Sequence, residues 1–296
     1  MSVRPLDARA DDAGTAMTPP PGAQEMRGPS ALGGDTRRFL YLSWTLAVTD
    51  FRLKFFGSVL GYLWQLMRPL MLFGVIYLVF VEFVNLGGGQ KDWPLVILSG
   101  IMFFTFFSEA TGGSVTSVVD RENLVRKIRF PRMVIPTAVL LTALMNFVLN
   151  LIVLLVFILV TGVDVTWRWI EAPVLIVAIT VLALGMAMLL SSLYVIARDV
   201  KPIWDVALQV LFYGTPLLYP IETVSMEWAR HLLMANPVAV IVQQWRFAVI
   251  DPTAPSAAAA AGGWLPLLIP LTIGVGVVAG GFVLFNRIAP RIAEEL

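Results

Sequence analysis

Six long apolar stretches dominate this sequence and constrain its fold more than any other feature. They cover approximately residues 60–84, 94–118, 133–162, 173–196, 203–221 and 264–286. A helix needs about 20 mostly apolar residues to cross roughly 30 Å of hydrocarbon, and each stretch is at or near that length. The fifth is the shortest and contains Pro216. The sequence therefore predicts an all-α polytopic membrane protein with six transmembrane helices.

The amino-acid composition excludes the common classes of water-soluble protein. Of the 296 residues, 58% are hydrophobic and 14% are charged, whereas soluble domains average roughly 45–50% apolar and about 25% charged residues. Such a chain has too little polar surface to cover a soluble core, and its lack of cysteine excludes a disulfide-rich secreted scaffold. The net charge of +1 argues against a nucleic-acid partner, which would require a concentrated basic surface.

The distribution of Lys and Arg predicts the orientation in the membrane, because cytoplasmic loops carry an excess of these residues. With the N-terminus inside, six spans place 17 of the 21 Lys and Arg residues on the cytoplasmic side or at its boundary. The four that remain outside are Lys91, Arg168, Arg230 and Arg246. We therefore expect a multi-pass protein of the cytoplasmic (inner) membrane with both termini in the cytoplasm.

The first 58 residues contain no span and divide into two segments. Residues 1–35 are rich in Pro, Gly, Ala and Asp without an apolar run, so we expect a disordered cytoplasmic tail. Residues 36–58 are typical of an amphipathic helix lying in the membrane interface, with polar and apolar side chains on neighbouring faces. A plain anchor helix is the alternative. The polar face holds Arg38, Thr45, Thr49 and Arg52, and the apolar face holds Phe39, Leu42, Leu46 and Leu53.

The cytoplasmic loop 119–132 has the pattern of a short helix. Asp120 is placed to cap its start and Pro131 to end it. Leu124 and Ile128 lie four residues apart and would share one face. This pattern predicts a helix presented to a partner; the alternative is that the five cations of the loop only follow the positive-inside rule.

Residues 222–263 follow the fifth stretch on the outside and contain two shorter apolar pieces. These pieces span about 224–235 and 237–250, which is too short to cross a bilayer. Asn236 as a cap followed by Pro237 at the first helical position predicts the start of the second helix. We expect a helical hairpin that dips into the outer leaflet and borders a pathway, because broken backbone at membrane depth must be buried in protein or face water.

The residues needed for most catalytic chemistries are absent. His231 is the single histidine and there is no cysteine, so we expect no metal site. No phosphate-binding loop with the G-x-x-x-x-G-K-[ST] spacing occurs, so the chain would not bind ATP in that way. Acids inside the apolar stretches are dispersed rather than paired, and Glu109 lies most centrally within a span. An ionisable residue at that depth is a candidate functional group.

Four segments resemble the membrane subunit of ABC-2 type exporters of polysaccharides, the family that handles O-antigen, capsule, teichoic acid and cell-wall galactan. They are GYLWQLMRPLMLFGVIYLVF at 61–80, ENLVRKIRFPRMVIP at 122–136, YGTPLLYP at 213–220 and ANPVAVIVQQWRFAVI at 235–250. The likeness extends from residue 37 to the end. It implies six spans over 59–296, a cytoplasmic coupling helix at 120–131 and external gate helices within 222–250.

The resemblance implies a homodimer that works with two copies of a separate ABC ATPase, in contact with membrane lipids. The expected function is a channel-forming permease that exports a lipid-linked polysaccharide using ATP hydrolysed by that partner, with no cofactor of its own. Two alternatives stay open: an ABC-2 exporter of drugs or small molecules, and an intramembrane glycosyl- or acyltransferase. The lack of an acid–base constellation argues against the enzyme.

The expected export function leads to three groups of candidate site residues. Sugars stack their apolar C–H faces on rings, so we expect the substrate path to use Trp64, Phe103, Phe106, Phe107, Trp204, Tyr213 and Tyr219, with Glu109 as a polar partner. Coupling to the ATPase is expected from Leu124, Arg126, Lys127, Ile128 and Arg129. The external gate is expected to include Trp228, Asn236, Pro237 and Trp245.

Overall fold

A computed structural model describes residues 35–55, 61–84, 92–122 and 130–289 of the chain. Within these ranges the regular structure is helical and no strand occurs. The expected tail at 1–34 and the central part of the expected coupling helix, 123–129, lie outside the described residues.

Ten α-helices are found in the described ranges. They are α1 (Thr36–Phe55), α2 (Gly61–Ile76), α3 (Trp93–Asp120), α4 (Val134–Thr161), α5 (Glu171–Ile196), α6 (Val200–Gly214), α7 (Glu227–Met234), α8 (Pro237–Trp245), α9 (Ala257–Ala260) and α10 (Leu268–Ile288). The helix α2 continues as a π-helix over Tyr77–Phe83, and α8 continues as a π-helix over Arg246–Ile250. Short 3-10 turns occupy Trp167–Ile170 and Ile221–Thr223.

The lengths of these helices confirm an all-α polytopic membrane protein. Four helical segments among the described residues are long and apolar enough to cross a membrane: Trp93–Asp120, Val134–Thr161, Trp167–Ile196 and Leu268–Ile288. The bent pair α7 and α8 raises that number to five if it is counted as one span. The apolar helix Leu63–Val79, which combines most of α2 with the start of its π-helical continuation, is shorter. The count of six crossings stays a prediction.

The helix in the fifth apolar stretch is shorter than the stretch itself. The sequence predicts a span over 203–221, whereas α6 ends at Gly214 after 15 residues. Thr215 has φ −103° and ψ 132°, an extended conformation. The following residue is Pro216, whose ring disfavours the helical conformation in the residue before it. At 1.5 Å per residue α6 measures about 22 Å, less than the roughly 30 Å hydrocarbon core.

Helix α3 forms the centre of the bundle. Of its most apolar 18-residue window, 78% is buried, against 17% for the corresponding window of α10. It packs mainly against α4 and α5, and also contacts α2 and α6, while α10 packs against α5. Apart from Thr272 and Arg287, the side chains that α10 leaves exposed are apolar, as expected for a helix that faces lipid.

The packing of α1 differs in part from the predicted apolar face. Phe39 is buried as expected, together with the small residues Ser43 and Ala47, which let α1 lie closely against α4. The Thr142 hydroxyl of α4 donates to the Ala47 carbonyl over 3.3 Å. Leu53 remains 66% exposed. The buried side chains of α1 that contact α4 therefore lie in its N-terminal two-thirds.

Candidate functional site

A polar contact joins three helices inside the bundle, with Glu109 at its centre. The Gln65 amide of α2 donates to one carboxylate oxygen over 2.8 Å. The Asn146 amide of α4 donates to the other oxygen over 3.0 Å. Gln65 and Asn146 are 6% and 2% exposed. Glu109 thus links α2 and α4 to the central helix α3, and charge-assisted hydrogen bonds of this kind are among the stronger ones in proteins.

A cavity of about 310 Å³ lies beside this contact, between α1, α2, α3 and α4. Val139 and Ala143 form apolar parts of its wall. Its polar and charged lining residues are Asp50, Lys54, Arg68, Glu109, Thr142 and Asn146. The mixture of carboxylates, cations, an amide and a hydroxyl next to aliphatic groups suits a small polar ligand with some apolar surface.

An ion pair at one side of the cavity links the end of α1 to the end of α3. The Asp50 carboxylate contacts the guanidinium of Arg121, and both side chains are about one-quarter exposed. Asp120, predicted to begin the next helix, is instead the last residue of α3, where its carboxylate accepts a hydrogen bond from Thr116 over 2.7 Å. The cavity therefore lies toward the end of the bundle from which the predicted coupling helix begins.

Two of the predicted path aromatics belong to a buried cluster of rings. Phe103 contacts Phe147 edge to face at 5.0 Å between centroids and Trp245 at 4.7 Å. Phe106 stacks on Phe147 at 4.8 Å. All four side chains are at most 5% exposed. In this conformation the cluster joins α3, α4 and α8 through packing within one chain.

The other predicted path residues lie in different environments. Phe107 is buried beside Trp204, whose indole N–H donates to the Thr111 hydroxyl over 3.2 Å. Trp64 and Tyr213 are exposed at 58% and 68%. The Tyr219 hydroxyl donates to the Tyr213 carbonyl over 3.4 Å. The structure therefore places Glu109 at the cavity, groups Phe103 with Phe106, and leaves Trp64 and Tyr213 on the surface of the chain.

The region of the predicted external helices contains two helices, α7 and α8, which meet at an angle of 94°. The bend is nearer to a right angle than to an antiparallel hairpin. The Asn236 side chain accepts from the Val238 N–H over 3.0 Å, so the predicted cap and Pro237 do begin α8. The Asn236 amide also donates to the Thr215 hydroxyl over 2.9 Å, which ties α8 to the segment after α6.

Arg246, at the end of α8, forms a second buried polar centre. Its side chain is 3% exposed and lies 3.0 Å from the Glu222 carboxylate and 3.5 Å from that of Asp251. Its guanidinium lies over the Trp93 ring, 5.1 Å from the centroid. One cation therefore fastens α8 to the start of α3 and to the loops on both sides of the external helices.

Two neighbouring glutamines attach α8 further. Gln243 donates to the Pro255 carbonyl over 2.7 Å. Gln244 donates to the Glu171 carboxylate of α5 over 2.6 Å and accepts from the Ala257 N–H over 3.0 Å. Of the predicted gate tryptophans, Trp245 is buried in the ring cluster and Trp228 on α7 is 67% exposed. The external helices thus have an anchored part, α8, and an exposed part, α7.

Sequence reasoning missed the partners in both polar centres. Asn146 and Arg246 lie within apolar helical stretches, where polar side chains are rare and require partners. That position is the signal that would have identified them, together with the Gln243–Gln244 pair. The predicted coupling residues lie outside the described residues: Leu124, Arg126, Lys127, Ile128 and Arg129.

Comparison with known proteins identifies relatives that match most of the chain. The family model described as ABC-2 type transporter matches residues 41–249. An O-antigen export system permease protein RfbA of Myxococcus xanthus is 28% identical over 253 residues, covering 85% of this chain and 94% of that protein. A Klebsiella pneumoniae protein of the same name is 23% identical, covering 83% and 92%. The polysialic acid transport protein KpsM of Escherichia coli is 20% identical, covering 69% and 80%.

Proposed function

This chain belongs to the ABC-2 type transporter family, whose model matches residues 41–249, and we propose that it is the membrane subunit of an ABC exporter for a lipid-linked polysaccharide. The observation that carries the proposal is the near full-length similarity to permeases named for O-antigen export. A relative named for polysialic acid transport supports the same substrate class. All of these relatives are transport permeases, in agreement with a non-enzymatic role.

The energy for export comes from a separate subunit in this proposal. The sequence has no phosphate-binding loop, and proteins of this type work with an ABC ATPase. We expect two copies of the ATPase below a homodimer of this chain. The membrane is the cytoplasmic (inner) membrane, and the excess of Lys and Arg supports an orientation with both termini in the cytoplasm.

The substrate path is proposed to pass between the two copies of the chain. Trp64 and Tyr213 support this arrangement because their rings are exposed and free to stack on sugars. Four buried aromatic residues would not line the path but would hold α3 in place: Phe103, Phe106, Phe107 and Trp204. Tyr219 and the external helices α7 and α8 border the outer end.

Deletion of the chain in its host, followed by complementation, tests the substrate class. We expect lipid-linked polysaccharide to accumulate inside the cell and to disappear from the surface, with recovery on complementation. A strain with an ATPase subunit unable to hydrolyse ATP is the matched control and should show the same accumulation. Unchanged surface polysaccharide together with new sensitivity to small toxic compounds would favour a drug exporter. Accumulation of a shortened glycan would favour the transferase.

The residues proposed to couple ATP hydrolysis to transport can be tested by co-purification. In the predicted coupling helix, Leu124 and Ile128 would insert into a cleft of the ATPase, with the basic residues at the rim. Truncation of buried apolar anchors typically weakens an interface more than loss of exposed charge pairs, each of which contributes roughly 0–1 kcal/mol. We therefore expect Leu124→Ala with Ile128→Ala to release the ATPase or to uncouple its turnover from export.

The Lys127→Ala variant serves as the control and should leave co-purification close to that of the unmodified protein. Normal co-purification and normal export in the double variant would mean that this loop only follows the positive-inside rule. In that case the charges, and not the apolar pair, would matter for insertion into the membrane.

A further inference from the structure

The cavity between α1, α2, α3 and α4 is lined by polar groups, of which only Glu109 is among the predicted path residues. Asn146 is 2% exposed and lines the cavity, yet its Oδ1 atom has no hydrogen-bond partner among the described residues. A buried polar atom without a partner is unfavourable by about 1–3 kcal/mol. The oxygen has almost no accessible surface in this conformation, so the acceptor that a ligand in the cavity can reach is the half-buried Glu109 carboxylate beside it.

The carboxylate of Glu109 adds further acceptor capacity at the same place. Each of its oxygens accepts one hydrogen bond from an amide, from Gln65 at 2.8 Å and from Asn146 at 3.0 Å. A carboxylate has about four lone-pair positions, so each oxygen can accept one more. The two amides also fix the direction of the group. The cavity therefore offers oriented acceptors that suit neighbouring hydroxyl groups.

Basic side chains also line the cavity and bring positive charge, opposite in sign to the Glu109 carboxylate. Arg68 and Lys54 line it on the side of α2 and α1, and Arg68 is exposed. Asp50 also lines the cavity, but its carboxylate is paired with Arg121. A guanidinium is a preferred partner of phosphate because it donates in a planar fork. Hydroxyl acceptors thus lie on the α3 and α4 side, and a phosphate partner lies on the α2 side.

We propose that this cavity binds a sugar phosphate, namely the sugar ring next to the lipid carrier together with the phosphate attached to it. The inference rests on the proposed function, which supplies a lipid-linked glycan as the substrate. The Glu109 carboxylate, held in place by the Asn146 amide, accepts hydrogen bonds from ring hydroxyls. Val139 and Ala143 contact the apolar C–H face, and Arg68 binds the phosphate. The volume of about 310 Å³ is at the lower limit of small-molecule sites. Its size suits a single sugar ring.

Thermal unfolding of the full-length protein in detergent tests this site. The probes are glucose 1-phosphate, N-acetylglucosamine 1-phosphate, free glucose, inorganic phosphate and glycerophosphoethanolamine, the last representing a phospholipid head group. At about ten times the dissociation constant, a sugar 1-phosphate should raise the Tm by roughly 3–5 °C. The other three probes should produce less than a third of that shift.

Two variants with matched controls locate the site. Asn146→Leu should weaken sugar-phosphate binding at least tenfold, whereas Asn150→Leu, one turn further along α4 and outside the cavity lining, should bind normally. Arg68→Gln alters an exposed side chain and should leave the fold intact. It therefore tests the site even if Asn146→Leu fails to fold. It should also weaken binding at least tenfold, while Arg52→Gln, exposed on α1 outside the cavity lining, should not.

An equal shift with inorganic phosphate would show a simple anion site and would overturn the proposal. An equal shift with glycerophosphoethanolamine would show a lipid head-group site and would overturn it too, as would no shift with any probe. The proposed function has a separate readout, the surface polysaccharide of the deletion strain. Export that continues while sugar phosphates do not bind would refute this inference alone.

Discussion

Arg246 illustrates how a single charged residue is accommodated among apolar helices. A charge removed from water is strongly unfavourable unless it is paired and hydrogen-bonded. Arg246 is paired with two carboxylates and lies over a tryptophan ring, although its Nε has no hydrogen-bond partner among the described residues. The exposed pair of Lys201 and Asp205 on α6 gains little stability from its contact. A contact between a cation and a carboxylate is therefore expected to matter for stability at the buried Arg246 and to matter little at the exposed Lys201.

Replacement of Arg246 by methionine should destabilise the protein much more than replacement of Lys201. Arg246→Met removes the cation shared by the exposed Glu222 carboxylate and the mostly buried Asp251 carboxylate. We expect a loss of about 2–4 kcal/mol in the free energy of unfolding and a fall in Tm of roughly 5–10 °C. Lys201→Met removes an exposed i,i+4 pair and should change stability by about 0.3–0.5 kcal/mol. Thermal unfolding of both variants in detergent measures the difference. Equal, small shifts would show that Arg246 does not hold α8 in place.

At the scale of the helices, α5 and α10 cross with their backbones in close contact. A Cβ atom added to Gly281 would lie 2.2 Å from the carbonyl oxygen of Gly185. A Cβ atom added to Gly185 would lie 2.7 Å from the Cα of Val278. Small residues at such crossings allow the close packing that drives association of membrane helices, because the hydrophobic effect does not favour it there.

Gly281→Ala should therefore separate α5 from α10, whereas Gly280→Ala should not. Overpacking at a tight contact costs about 1–3 kcal/mol. A Cβ on Gly280 meets no atom within 4 Å, and alanine there replaces a poor helix former with a good one. We expect a lower Tm for the first variant and an unchanged or slightly higher Tm for the second. A Tm for Gly281→Ala that matches Gly280→Ala would mean that the two helices pack loosely.

At the scale of the whole molecule, the proposed topology places the external helices and the start of α1 on opposite sides of the membrane. The chain has no cysteine, so a single introduced cysteine can be labelled selectively. Thr253 lies exposed in the loop after α8, and Thr36 lies exposed at the start of α1. These two positions report the two sides of the membrane.

With a membrane-impermeant thiol reagent, Thr253→Cys should be labelled in intact cells or spheroplasts. Thr36→Cys, the matched control, should be labelled only after the membrane is opened. The expectation follows from the position of most Lys and Arg residues on the side of the N-terminus. Labelling of Thr253→Cys only from the cytoplasm would reverse the topology.

The sequence by itself determined the class of the protein and most helix positions. Predicted boundaries such as 133–162 and 173–196 agree with Val134–Thr161 and Glu171–Ile196 within two residues. These features depend on local properties: the length of an apolar run, the cap formed by Asn236, and the inability of proline to continue a helix. The same local information predicted Glu109 as a candidate group.

Only the tertiary structure decided which side chains meet. Gln65, Glu109 and Asn146 come from three helices separated by 37 or more residues along the chain, and no local pattern specifies that contact. Periodicity also could not tell that Phe103 and Phe106 pack inward while Tyr213 faces outward, because in a membrane both the core and the lipid favour apolar side chains. The partner of a helix face is determined by shape and by the need to pair buried polar groups.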